Sequence, residues 1–269
     1  MDRFSEFLDE RKYLLNVSPK TLTYYNCAFK AWQVYSGGDP KTWIVNLRSK
    51  GVSAVSCNTY ICAMNAYWKW AGEPLHLSYL KEEEKILATF SAAQVSALLT
   101  FKPKGANQTR AHALASVLLD TGLRISEALA IQREDIDLNN MLIRVTGKGN
   151  KQRLVPMSLE LRRLLFRWLQ RCPKDFVFGT RSGTKMTVRN FQRDFKAVCV
   201  RLKIGDVRCS PHTLRHTFAV SYLRAGGNLF YLSKILGHTS VKTTERYLQS
   251  LQPQDLQVVH DRLSLLTRR

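Results

Sequence analysis

At 269 residues the chain has room for two domains, and with 45% hydrophobic residues it can bury a core in each. Its formal net charge of +20 and pI of about 10.0 exceed what solubility requires and point to a polyanion, nucleic acid before an anionic membrane surface. No run approaches the ~18 apolar residues of a membrane span, and Met1-Asp2-Arg3 opens no signal peptide. The six cysteines (Cys27, Cys57, Cys62, Cys172, Cys199 and Cys209) lack paired metal spacing and read as reduced residues of a cytoplasmic protein.

Taken in order, the chain first reads as four or five helices without strands. Phe4, Phe7, Leu8, Arg11, Tyr13 and Leu14 fall at helical spacing over 4–15. Ser18-Pro19-Lys20-Thr21 starts a helix, with Ser as cap and Pro at the first position, and that helix runs to Gly37-Gly38. Asp39-Pro40 opens a short helix that Gly51 ends, and Ser53 to Trp70 forms a longer one. The aromatic stripe of these helices suits a core better than a base-stacking surface. Lys20 and Thr21, at a helix start, are placed to hold a backbone phosphate. Gly72 to Lys85 lacks an apolar face and reads as the approach to a linker, which sets domains at 1–83 and 91–269 with 84–90 between them.

The second half carries most of the charge: residues 1–82 hold ten basic and seven acidic side chains, a net of +3 out of +20. Ser91 caps one helix, and an apolar helix over Ala111–Leu119 ends in Thr121-Gly122. Leu123-Arg124-Ile125-Ser126-Glu127 begins the next, which sets Arg124 at a helix start. Met141–Val145 and Arg153–Val155 flank the glycine-containing Thr146–Gln152 and predict a hairpin whose basic tip, with Lys151 and Arg153, can reach into a DNA groove. Phe176–Gly179 is a candidate third strand. The rest is helical and ends in an amphipathic helix with Leu256, Val259, Leu263 and Leu266 at helical spacing. The fold class is mainly α with a small β-sheet.

The chemistry gathers late. Ser210-Pro211 starts a helix on which His212 and Arg215, three apart, project from one face. A guanidinium fork and an imidazole aimed at one point suit a phosphate. Leu236-Gly237-His238 and Tyr247 follow. With Arg124 and Lys148 upstream, these side chains assemble a phosphoryl-transfer set that has a tyrosine available as nucleophile. Each is weak alone; the order within one basic domain carries the reading.

That order, with the surrounding Thr121-Gly122-Leu123-Arg124-Ile125-Ser126-Glu127, Gly147-Lys148-Gly149-Asn150-Lys151, His212-Thr213-Leu214-Arg215-His216 and Leu236-Gly237-His238, resembles the tyrosine recombinase (phage integrase) family. The resemblance covers nearly the whole chain and is specific in the second half. It implies a helical, SAM-like core-binding bundle followed by a catalytic domain. It also implies the minimal two-domain form of the Xer type or of a small mobile-element integrase.

The implied activity is site-specific DNA recombination through a 3′-phosphotyrosine. Tyr247 is the implied nucleophile, Arg124 and Arg215 clamp the phosphate, and Lys148 protonates the leaving 5′ oxygen. His212 takes the tyrosine proton, His238 bonds a phosphate oxygen, and Glu127 orients the site from behind. His216 reads as structural. No metal and no other cofactor is implied, since the arginines and lysine supply the charge. The implied partners are a duplex DNA site and a homo-tetramer on paired sites. The terminal helix would dock on a neighbour, or alternatively on its own domain. A second recombinase or a directionality factor is compatible with this. A type IB topoisomerase and a non-catalytic DNA-binding accessory factor are the alternative functions.

Overall fold

The structure, a computed structural model, describes residues 3–83, 88–147, 150–171 and 175–263. The chain divides into two compact units, Met1–Lys85 and Ile86–Arg269. Cys172, residues 84–87 of the expected linker and Leu266 lie outside the described residues.

The first unit is helical from residue 3 to 71 apart from its turns, and an extended segment follows over 73–83. Helix α1 (Arg3–Asp9) runs into a π-helical turn over Glu10–Leu14 rather than one regular helix to residue 15. α2 (Pro19–Tyr35), α3 (Pro40–Ser49) and α4 (Ala54–Ala71) follow. Each of these three starts where a short polar side chain accepts a backbone N–H of the first turn: Ser18 from Thr21, Asp39 from Thr42, Ser53 from Ser56. Such a cap is worth about 1 kcal/mol. The aromatic stripe is core. Trp43 and Trp68 are fully buried, Trp32 meets both edge-on at 5.4 and 5.0 Å, and Phe4 stacks on Phe29 at 3.7 Å.

The stretch after α4 corrects the sequence reading. Leu75, Leu77 and Leu80 pack against the aromatic core, so 73–83 is no bare connector. Two asparagines on α4 strap it down. Asn65 accepts the Leu77 N–H at 3.0 Å and donates to the Leu77 carbonyl at 2.8 Å. Asn58 does the same for Leu80 at 2.7 and 2.8 Å. Seven residues of helix advance about 10.5 Å and three residues of extended chain about 10 Å, so the two clamps stay in register.

In the second unit, α5 (Ala92–Thr100) starts at a capping box of Ser91 and Gln94. α6 (Gly105–Thr121) is the central element. Its Ala111, Ala113, Leu114, Ala115, Val117 and Leu118 are all buried, and the small residues let neighbours approach closely. α8 (Leu159–Arg171), α9 (Val188–Arg201) and α10 (Pro211–Arg224) pack around it. Four-residue α7 (Ile125–Ala128) leads to an antiparallel sheet of β1 (Ile136–Asp137), β2 (Leu142–Thr146) and β3 (Gln152–Pro156), in that order.

The hairpin is β2–β3, with Ile143 opposite Val155, both fully buried. The third strand is β1, not Phe176–Gly179, whose residues form only isolated bridges, Gln132 to Phe176 and Gly179 to Lys185. Val177 and Phe178 point into the core, so their apolar run reports burial rather than a ladder. α11 (Leu229–Leu236), α12 (Lys242–Glu245) and α13 (Pro253–Leu263) complete the unit. The first turn of α13 is tied to α10 of the same chain, where Arg224 Nε donates to Asp255 Oδ2 at 3.0 Å. Leu256 is exposed.

Candidate active site

The site is built on two helix C-termini. α6 ends at Gly122 (φ 63°) and α11 at Gly237 (φ 64°), each in the left-handed conformation that closes a helix. Their last carbonyls carry the negative end of the helix dipole, and the site's arginines converge there. Arg215, on the inner face of α10, is only 5% exposed. It donates to Gly122 O at 2.7 Å, to Leu236 O at 3.0 Å and to His238 Nε2 at 2.9 Å. Burial, and then the nearby Arg124 charge, lower its pKa, while the Tyr247 hydroxyl, within hydrogen-bonding range, and Glu127 support its charge. Among the described residues no carboxylate forms an ion pair with it. A buried cation held by carbonyls and an imidazole is a receptor for an anion.

Arg124 precedes α7 and remains 38% exposed. Its NH1 donates to Glu127 Oε1 at 3.0 Å and Leu236 O at 3.4 Å, and its NH2 to Gly237 O at 3.4 Å. Both guanidinium groups therefore share the Leu236 carbonyl. Glu127 is buried behind them. It accepts from the Arg124 backbone N–H at 2.9 Å and takes both arms of Arg153 at 3.0 Å. Burial pushes its pKa up, but these bonds and the two cations outweigh that and hold it below the usual carboxylate range.

The sequence reading set Arg153 on the DNA side of the hairpin. Its guanidinium instead turns inward, 18% exposed, to Glu127 and the Ile235 and Leu236 carbonyls. It thereby ties β3 to α7 and to the end of α11. Gly237 makes room for it: a Cβ there would stand 2.7 Å from Arg153 Cζ. Nothing in the sequence pairs Arg153 with a carboxylate 26 positions earlier, so this role was missed.

Ser210 caps α10, accepting from Thr213 N at 3.2 Å, with Pro211 in the first turn. His212 follows on the exposed side. Burial, then Arg215, Arg208 and Arg246, lower its pKa, so the ring is neutral near pH 7. The His216 ring lies 6.3 Å from that of His212 and 5.7 Å from that of Tyr247, and its buried Nδ1 has no hydrogen-bond partner among the described residues. Burial, Arg246, His212 and Arg215 push it down to about 4. Tyr247 is 2% exposed, and its ring stacks within 9° of the His238 plane at 6.5 Å. His238 is pushed down to about 4, by burial first and then by Arg215, Arg124, Arg153 and Arg246. Its Nδ1 lies 2.8 Å from the hydroxyl of Thr244, a fully buried residue the sequence did not single out.

The structure thus brings Arg124, Glu127, Arg215, His238 and Tyr247 together, with His212 on the exposed side of α10 within electrostatic reach of Arg215. Lys148 lies outside the described residues. Of its described neighbours in the sequence, Gly147 N donates to Lys151 O at 2.8 Å, and Lys151 is exposed. Lys20 and Thr21 belong to the first unit. Lys20 is exposed, and the Thr21 hydroxyl lies 2.9 Å from that of the cap Ser18.

Residues 88–253, which span the whole of this cluster, match the model of the phage integrase family. The chain belongs to that family. It is 32% identical over 249 residues to the tyrosine recombinase XerC of Pseudomonas aeruginosa, covering 86% of this chain and 80% of that protein. To XerD of Yersinia pestis it is 28% identical, covering 90% of each. The fold matches the Tn1549 transposon integrase in complex with transposon right end DNA, with a TM-score of 0.78 at 20% identity over 98% of this chain and all of that one. It also matches XerH recombinase bound to a palindromic difH substrate, with a TM-score of 0.73 at 17% identity over 98% and 84%.

Proposed function

We propose that this tyrosine recombinase cuts and rejoins duplex DNA at a specific site by making Tyr247 its covalent nucleophile, with the scissile phosphate seated between Arg124 and Arg215. The observation that carries the reading is the buried Arg215: a fixed cation without a paired carboxylate among the described residues, beside a buried phenol and two neutral imidazoles.

Tyr247 Oη attacks phosphorus, the bond from phosphorus to the 5′ oxygen breaks, and a 3′-phosphotyrosine is left. An ordinary tyrosine, with a pKa of about 10, needs help to lose its proton. Neutral His212 takes it. The two arginines gain most from the extra equatorial charge of the transition state, which is where binding energy accelerates the step. Glu127 and Arg153 hold Arg124 and the end of α11 in place from behind. Lys148, between β2 and β3 in the sequence, is the reading's proton donor to the departing 5′ oxygen. The second transesterification reverses these roles with a different 5′ hydroxyl, so no high-energy cofactor enters the balance.

Recombination joins two sites, and we place a tetramer on them. α13 is pinned at its base by Arg224 and Asp255, and its exposed Leu256 is offered to a neighbour. The test of the chemistry is covalent capture. The protein is incubated with DNA flanking its own gene in the presence of a chelator, and denaturing gels are searched for adducts. An adduct absent with Tyr247→Phe supports the reading, and binding without any adduct contradicts it.

A further inference from the structure

His238 is held in a state opposite to the one the proposed chemistry requires. An arginine has only N–H groups, so where Arg215 NH2 stands 2.9 Å from His238 Nε2 the ring nitrogen accepts. The ring is neutral at pH 7, and its single proton is therefore on Nδ1, directed at Thr244 Oγ1 2.8 Å away. A phosphate oxygen is an acceptor and calls for the proton on Nε2. The ring has to change tautomer when the anion arrives.

Thr244 is built to permit this. It is 0% exposed, and its hydroxyl both accepts and donates. It accepts from Nδ1–H in the free protein, and by rotating its own O–H it donates to the Nδ1 lone pair once the proton sits on Nε2. A carbonyl or carboxylate in this place would serve only the first state, and an apolar group neither.

We propose that Thr244 is a positioning residue whose hydroxyl lets His238 exchange tautomers, converting Nε2 from an acceptor for Arg215 into a donor to the scissile phosphate. The proposal rests on the reading that His238 faces that phosphate. In the exchange the ring takes one proton from water at Nε2 and returns the Nδ1 proton to water, so its charge is unchanged. The same event frees one arm of Arg215 for the phosphate. The charged groups that act on the ring are the cations Arg215 from α10, Arg124 before α7, Arg153 from β3 and Arg246 beside Tyr247, with the Glu127 carboxylate behind Arg124 and Arg153. The cations keep the ring neutral and make the tautomer, rather than protonation, the variable.

The test uses the full chain labelled with 15N-histidine and inorganic phosphate as the probe, in wild type, Thr244→Val and Thr244→Ser. The His238 signals are those missing from His238→Ala. Wild type and Thr244→Ser should show Nδ1–H without phosphate and Nε2–H at saturation, while Thr244→Val, which gives Nδ1 no partner in either state, should leave the two tautomers mixed with and without phosphate. On DNA that traps the wild type, Thr244→Val should form adduct about tenfold more slowly or worse, as expected for an unsatisfied buried polar atom, and Thr244→Ser within about threefold. A free protein already in the Nε2–H form would overturn the proposal, as would a ring that saturating phosphate leaves unchanged. Equal slowing in Val and Ser variants would reduce Thr244 to a packing role. If His238→Ala forms adduct at the wild-type rate, the reading of His238 itself fails. If His238→Ala is slow and Thr244→Val is not, only this proposal fails.

Discussion

Replacing Glu127 by Gln keeps the shape of the buried clamp and removes its charge. Four donor groups converge on this carboxylate at 2.9 to 3.0 Å, two from Arg124 and two from Arg153. An amide offers one acceptor oxygen and turns an N–H towards at least one guanidinium donor. Removing one member of a buried ion pair costs about 3–5 kcal/mol. Arg124 is 38% exposed and water can solvate it, so the loss falls mainly on Arg153 and the low end, about 3 kcal/mol, applies. For a domain of this size that corresponds to a fall in Tm of roughly 6–12 °C.

The effect should depend on pH. Glu127 is depressed in the folded state, so its stabilisation is complete above the unfolded carboxylate value near 4.3 and is lost as pH falls through the lower folded value. Calorimetry of the second unit's transition should show wild type and Glu127→Gln far apart at pH 7 and converging below about pH 4. A double-mutant cycle with Arg153→Gln should return a coupling within about 1–3 kcal/mol. A variant within 2 °C of wild type at pH 7, or a gap that does not close in acid, would refute the reasoning (threshold set from ~1 kcal/mol).

Other substitutions probe other links. Gly237→Ala strains a residue at φ +64° and drives a Cβ to 2.7 Å from Arg153 Cζ, so it should cost about 2 kcal/mol and cut adduct yield; Gly205→Ala, with open space around it, should be neutral by both measures. Arg208 is one of the charges that depress His212, so Arg208→Ala should move the rising limb of the cleavage rate to higher pH; an unmoved limb would remove His212 as the proton acceptor. Asn65→Ala breaks both bonds to Leu77, at about 2 kcal/mol, and trypsin should then cut after Lys81 about tenfold faster; unchanged protection would show that the leucines alone hold the segment.

Much of this was legible because the signals are local. Ser18, Asp39, Ser53, Ser91 and Ser210 announce helix starts, as caps acting on backbone two or three residues away. The words around Arg124, Arg215, His238 and Tyr247 carried the family and, with it, the cluster. What escaped depends on distant pairing. Arg153 reads as a surface cation until Glu127 is placed beneath it. Thr244 is one polar residue among several until the ring of His238 is seen 2.8 Å away. Leu77 and Leu80 looked unpartnered because their clamps lie on α4, 12 and 22 positions back. Ile136–Asp137 is too short to show a period of two, while the apolar Phe176–Gly179 imitated a strand because it is buried.

The central claim is that the phenol of Tyr247 takes the scissile phosphate. The most direct measurement is to trap the adduct, digest both components and identify the linked peptide and nucleotide by mass spectrometry. The account predicts a single species in which the peptide containing Tyr247 carries a nucleoside 3′-phosphate. Phosphorus on another residue, or linkage to a 5′ end, would contradict it.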